Sequence, residues 1–221
     1  MKNKDTLPST YYVGIRKEML PFLPDRRERV LEIGCGYGTF SEGVDGCIEY
    51  WGVEPDPDAA KVAEQRLKNV FMGTYNDVAA QLPDNYFDLV ICNDVIEHMP
   101  DHEEFLVEIQ RKMVGGASLV ASIPNVRYYY NLLELLIEKD WHYREAGILD
   151  RTHLRFFTRK SLLLCLGKAG FEVEKFEGIN GLKTRILPLK RLFRQLMFCF
   201  LGNDVRYLQY GFRAVLKKNN D

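Results

Sequence analysis

A parallel β-sheet covered by helices on both faces is the fold class this chain predicts, and three observations predict it. Short apolar strand-like runs alternate with amphipathic helical stretches along most of the 221 residues. A glycine-rich turn, Gly34-Cys35-Gly36-Tyr37-Gly38, follows the first of those runs directly. An acid, Glu54, follows the second, twenty residues after Gly34. In such doubly wound sheets, ligands bind beyond the carboxyl ends of the strands, so chemistry is expected in the residues just after each one.

Each element has its own signal. Arg29–Ile33 is the first strand, and residues 40–44 open a short helix after the glycines. The second strand is 48–53. A helix follows from Pro55-Asp56-Pro57, where proline suits a first turn and Asp suits the positive helix end. Ala59, Val62, Ala63 and Leu67 then recur at helical spacing. Residues 70–72 and 87–92 are the third and fourth strands. Phe105, Leu106, Ile109 and Met113 give a helix over 103–113 that Gly115-Gly116 should end, before a fifth strand at 119–123. A helix over 125–139, one begun by Thr158, an amphipathic one from Pro188 to Gly202 and a final strand, Tyr207–Leu216, complete the reading. With no repeat or linker, one domain over 1–221 is expected. Residues 1–27 would form a helical cap, 124–157 an acceptor-site insertion and 182–204 a basic helical segment before the last strand.

Composition narrows the function. Hydrophobic residues at 46% and charged ones at 28% exclude global disorder and collagen-like repeats. The net charge of −1 gives no reason to expect a nucleic-acid binder. It hides an asymmetry: residues 182–221 hold nine Lys or Arg against two Asp, a net of +7, leaving −8 for the rest. The cysteines (35, 47, 92, 165 and 199) are odd in number and lack a C-x-x-C pair, against a disulfide framework or zinc site. The first ten residues carry no apolar leader, and the longest fully apolar run is six residues, 196–201. A cytoplasmic setting is the expectation.

The glycine turn is spaced G-x-G-x-G. A dinucleotide fingerprint would place Gly or Ala at position 39, which is Thr39. Glycines let backbone amides approach a ligand closely, and an acid at position 54 can accept both hydroxyls of a ribose. Together with Val30-Leu31-Glu32-Ile33, Gly52-Val53-Glu54-Pro55, Phe87-Asp88-Leu89-Val90 and Asp94-Val95-Ile96-Glu97-His98, these residues resemble the class I S-adenosylmethionine-dependent methyltransferases over about residues 28–180. The resemblance implies a seven-stranded, mainly parallel, Rossmann-like sheet with an antiparallel last strand. It implies S-adenosylmethionine as cofactor: Glu32, Gly34, Cys35, Gly36 and Gly38 at its methionyl end, Glu54 and Pro55 at its ribose, and Asn93 and Asp94 beside the methionyl group. After strand three the family's usual acid is replaced by Thr74, which leaves Asn76 or Asp77 for the adenine amine.

Methyl transfer needs an aligned acceptor and, for a hydroxyl, a base. His98, one turn after strand four, is one candidate. His153, within the polar segment Asp150-Arg151-Thr152-His153-Leu154-Arg155 and flanked by Asp150 and Arg155, is the other. Segments like 150–158 occur in methyltransferases of sugar and cell-surface polysaccharide pathways, a similarity that implies a hydroxylated small-molecule acceptor. Asp94-x-x-Glu97-His98 also resembles the divalent-metal segment of some ubiquinone-pathway O-methyltransferases, and His98 and His102 stand i, i+4. No further ligand-rich segment accompanies them, so no metal is expected. Cys92-Asn93-Asp94-Val95 lacks the Pro-Pro-aromatic continuation of base methylases, so a nucleic-acid substrate is not expected. The basic segment reads as a docked helix, a lid or dimer element, or an interfacial helix touching anionic lipid. Two other functions remain at this level: a non-catalytic cofactor-binding scaffold of the same fold, and a nicotinamide-dependent oxidoreductase. Thr39 and the absence of Tyr-x-x-x-Lys weigh against the second.

Overall fold

The computed structural model describes residues 14–182 and 188–216. Its strands are β1 (Arg29–Ile33), β2 (Glu49–Glu54), β3 (Asn69–Met72), β4 (Phe87–Asn93), β5 (Met113–Pro124), β6 (Phe171–Gly181) and β7 (Tyr207–Leu216). They form one sheet in the order β3-β2-β1-β4-β5-β7-β6. The first five run parallel, and β7 is antiparallel to both β5 and β6. The strand order reverses between β1 and β4, the switch point where such sheets open a crevice.

Among the described residues the α-helices are α1 (Pro57–Ala63), α2 (Tyr75–Val78), α3 (His102–Glu108), α4 (Tyr129–Leu133), α5 (Arg159–Lys168) and α6 (Pro188–Leu201). Alternate strand residues point to opposite faces, and both sets are buried. Leu31, Ile33, Val90 and Leu119 pack with Phe105, Leu106, Leu162 and Leu166 of α3 and α5. Val30, Leu89, Ile91 and Val120 pack on the other side with Met19, Phe22, Phe40 and Leu67. Local chemistry starts the helices where the sequence says. The Asp56 side chain accepts from the amides of Asp58 and Ala59, and Thr158 and Ser161 form a capping box.

Four expectations need correcting. The helix at 103–113 ends at Glu108, a 3-10 turn spans Ile109–Lys112, and Gly115 and Gly116 lie inside β5. Pairing jumps there from Phe87 opposite Met113 to Leu89 opposite Ser118, and Gly116 supplies the bulge's left-handed backbone with φ of 77°. The helix at 125–139 begins only at Tyr129 and continues as a π-helical turn, Glu134–Glu138. Asn125 is instead buried, donating to the carbonyls of Asp204 and Tyr207 and accepting from the Arg127 amide. His98 and His102 do not share a helical face. His98 ends a 3-10 turn (Ile96–His98), whereas His102 opens α3 after Pro100. Finally, β6 was missed; Phe171 and Val173 share a face, but a register shift between Val173 and Lys175 breaks the alternation, and a charged edge strand carries a weak apolar pattern. Of the cap at 1–27, a 3-10 turn at Lys17–Phe22 is seen, and residues 1–13, including Tyr11 and Tyr12, lie outside the described residues.

Candidate active site at the strand ends

The glycine turn leaves β1 with Gly34, Gly36 and Gly38 at φ of 71°, 54° and 71°. A Cβ at Gly34 would lie 2.6 Å from Val95 Cγ2, so only glycine fits between the turn and the segment after β4. Glu54, at the last position of β2, is 4% exposed. Its Oε2 accepts from the Gly36 amide at 2.7 Å and its Oε1 from the Asp56 amide at 2.9 Å. These bonds fix the carboxylate and leave it further lone pairs for two hydroxyls. Burial pushes its pKa up, against the pull of those amides. Glu32, buried in β1, accepts from Tyr50 Oη at 2.9 Å, and burial raises its pKa to about 8. Cys35 is buried beside them.

Asn93 ends β4 with both its side-chain amide atoms buried and without a hydrogen-bond partner among the described residues. An orphaned amide of this kind is what a polar ligand would satisfy. Asp94, next to it, has φ of 54°. Its carboxylate accepts from Arg16 Nη1 at 2.6 Å, from Ser122 Oγ at 2.8 Å and from Gln209 Nε2 at 2.7 and 2.8 Å. Arg16, Ser122 and Gln209 were missed by sequence reading, since separations of 28 to 115 residues leave no local signal. After β3, the Asp77 carboxylate is engaged by the amide and hydroxyl of Thr74 in a capping box, and Asn76 is exposed beside it. Pro55 is exposed between β2 and α1.

The turn after β4 and the loop before α5 meet. The amides of Leu154 and Arg155 donate to the Glu97 carbonyl at 2.9 and 3.0 Å. His98 Nδ1 donates to the Thr152 carbonyl at 3.1 Å and His153 Nδ1 to the Ile148 carbonyl at 2.9 Å. A carbonyl can only accept, so in the neutral rings both Nε2 atoms carry free lone pairs. The rings meet edge to face, with centroids 4.6 Å apart. Burial, then the neighbouring His153, lowers the pKa of His98 and keeps it unprotonated near neutral pH. The Asp150 carboxylate accepts from Thr152, its carbonyl accepts from the His153 amide at 3.0 Å, and Arg155 donates to the Pro100 and Leu154 carbonyls, so Asp150 places the His153 backbone while its side chain and that of Arg155 are engaged elsewhere. Glu97 is 1% exposed, its carboxyl oxygens accept no hydrogen bond among the described residues although His153 Nε2 stands 3.9 Å from Oε1, and burial holds its pKa well above the usual carboxylate range. Glu97, His98 and His153 each offer a ligand atom within 4.8 Å of the others. The sequence hid this cluster, because its third member arrives from the loop before α5.

Positive-φ glycines, an anchored acid at the end of β2 and an orphaned Asn93 at the switch point suit a nucleoside joined to an amino-acid-like tail, the shape of S-adenosylmethionine. Comparison with known proteins agrees. A family model described as a methyltransferase domain matches residues 9–175. A probable S-adenosylmethionine-dependent methyltransferase of Mycobacterium tuberculosis is 34% identical over 98 residues, covering 43% of this chain and 35% of that protein. The chain thus spans about a third of the length of the first curated relatives it matches. A ubiquinone biosynthesis O-methyltransferase of Aeromonas salmonicida is 27% identical, covering 82% of this chain and 74% of its own. The crystal structure of a SAM dependent methyltransferase from Archaeoglobus fulgidus superposes with a TM-score of 0.63 at 24% identity, covering 90% of both chains. The chain belongs to the methyltransferase domain family and has the Rossmann-like fold of class I S-adenosylmethionine-dependent methyltransferases.

Proposed function

We propose that this protein transfers a methyl group from S-adenosylmethionine to a hydroxyl of a small molecule, a sugar or similar metabolite. The observation that carries the reading is the pair of histidines beside the end of β4, each with Nδ1 spent on a backbone carbonyl and Nε2 left as a base. When bound, the cofactor supplies an electrophilic methyl carbon on a sulfonium. Glu54 would hold its ribose, the turn at Gly34–Gly38 and the Asn93 amide its methionyl end, and Asn76 or Asp77 its adenine. Asp94, filled by Arg16, Ser122 and Gln209, serves by bracing the backbone after β4. His98, neutral and half-buried, takes the proton as the hydroxyl oxygen attacks in line. His153 packs against it and holds its ring in place. Relatives named for oxygen acceptors, such as the ubiquinone biosynthesis O-methyltransferase, favour the same acceptor atom.

A second reading is favoured by Glu97. Its buried carboxyl, 3.9 Å from His153 Nε2 and beside two histidine lone pairs, is a donor set for a divalent cation, which would lower the acceptor's pKa in place of a base. Incubation with methyl-labelled S-adenosylmethionine and panels of hydroxyl- and amine-bearing metabolites, with and without chelator, tests both. Label recovered as an ether and untouched by chelator supports the histidine base. Loss on chelation and recovery with a divalent metal supports the second reading. Label found only on nitrogen removes both.

A further inference from the structure

The basic segment between β6 and β7 has a feature that methyl transfer does not use. Among its described side chains, those of residues 194–201, α6 is docked through one side. Phe198 is buried against Tyr129 of α4 at 5.7 Å between ring centroids and lies under the Arg206 guanidinium, and Met197 and Leu201 join the same cluster. On the opposite side Leu196 is 53% and Phe200 86% exposed, with Cys199 exposed between them. By sequence, Leu189, Leu192 and Phe193 stand seven, four and three residues before Leu196, at helical spacing. The turn that extends α4 exposes Leu136 and Ile137 as well, at 60% and 70%. Among the described residues no helix is long and apolar enough to cross a membrane.

We infer that α6 is an interfacial anchor that lays its outer apolar face into an anionic lipid surface. Charge selects this occupant. Residues 182–203 hold five Lys or Arg and no acid, inside a C-terminal segment of net +7, whereas the remainder of the chain carries −8. A second copy of this chain would bring the same positive segment against itself. One face of a 14-residue helix also falls well short of the roughly 800 Å² per partner that a stable interface buries. An anionic surface answers both the apolar stripe and the charge. The Debye length of about 8–10 Å at ordinary salt is close to the ~10–12 Å width of a helix, so Arg194, buried on the docked side, still feels the lipid. The placement also bears on the site. β5 ends opposite the start of β7, with Pro124 paired to Gln209, and β6 ends at Gly181 opposite Tyr207. α6 therefore joins the sheet at the rim where the strand ends open, and an anchored α6 brings that rim to the lipid headgroups.

Co-sedimentation of the full chain with phosphatidylcholine vesicles, with and without phosphatidylglycerol, tests the anchor independently of any methyl transfer. The expected result is binding only when phosphatidylglycerol is present, weakened by salt, and about tenfold or more weaker in the double variant Leu196→Ser/Phe200→Ser. Both positions are exposed, so the variant should keep the parent's melting temperature, which is measured alongside. No binding at low salt overturns the inference, as does equal binding to neutral vesicles. It is equally overturned by sedimentation velocity showing a dimer that the double variant dissolves while vesicles are ignored.

Discussion

At the ends of β1 and β2, Glu54 and the Gly36 amide satisfy one another across only 18 residues of chain, and Asp56 adds its amide from two residues away. At the end of β4, Asn93 and Glu97 keep buried polar atoms without hydrogen-bond partners among the described residues, and Asp94 is held by side chains as far as 115 residues distant. The first region is a preorganised cradle for one ligand, its cost of ordering met before binding. The second leaves polar groups unsatisfied, a state that low dielectric makes costly and that a bound group relieves. On the function proposed above, the first region holds the cofactor's ribose, and the second takes its methionyl end at Asn93 and the acceptor chemistry at His98.

Variants can break that division, and the largest effect is expected in the cradle. Gly36→Val places a branched side chain at φ of 54°, where the amide approaches Glu54, and should take cofactor affinity beyond detection by calorimetry while the fold persists. Unchanged affinity would reduce the glycines to a simple turn. In the second region, His98→Ala or His153→Ala should lower kcat by ~10²–10⁴ with cofactor affinity kept within about threefold. His142, exposed and paired with Asp140, is the control that should change nothing. Near-parental rates in both variants would remove the histidine base and the metal held by the same side chains, and leave alignment alone as the source of catalysis. Glu54→Ala should weaken cofactor binding by about 1.5–3 kcal/mol through lost charge-assisted hydrogen bonds, and an unaltered constant in a folded variant removes Glu54 from the site.

A last effect, read in stability and not in binding or rate, concerns Glu32. Its folded pKa of about 8 stands above the ordinary 4.5, so the fold holds the proton more tightly than the unfolded chain does. That contribution is complete below pH 4.5 and is lost as pH rises through about 8. Glu32→Gln keeps a group that Tyr50 can donate to and removes the titration. Its melting temperature should therefore fall less than the parent's as pH rises across that window. Parallel curves would show that Glu32 does not titrate there.

The same contrast explains what sequence reading could find. The turn at Gly34–Gly38, Glu54 and the caps at Asp56 and Thr158 are written in neighbouring residues, so their chemistry was legible. The antiparallel end of the sheet came only through family resemblance, and β6, charged on its exposed side, escaped pattern reading. Gly115 and Gly116 were misread because a bulge inside β5 uses the residue that would end a helix. The Glu97–His98–His153 cluster and the clamp on Asp94 exist only once the chain has folded, since Thr152 reaches His98 across 54 residues and Arg16 reaches Asp94 across 78.

Titration calorimetry of the parent protein with S-adenosylhomocysteine, and separately with NAD, bears most directly on the assignment of the strand ends. Saturable one-to-one binding of S-adenosylhomocysteine, with no heat from NAD, is the predicted result. Binding of NAD with none of S-adenosylhomocysteine would contradict it.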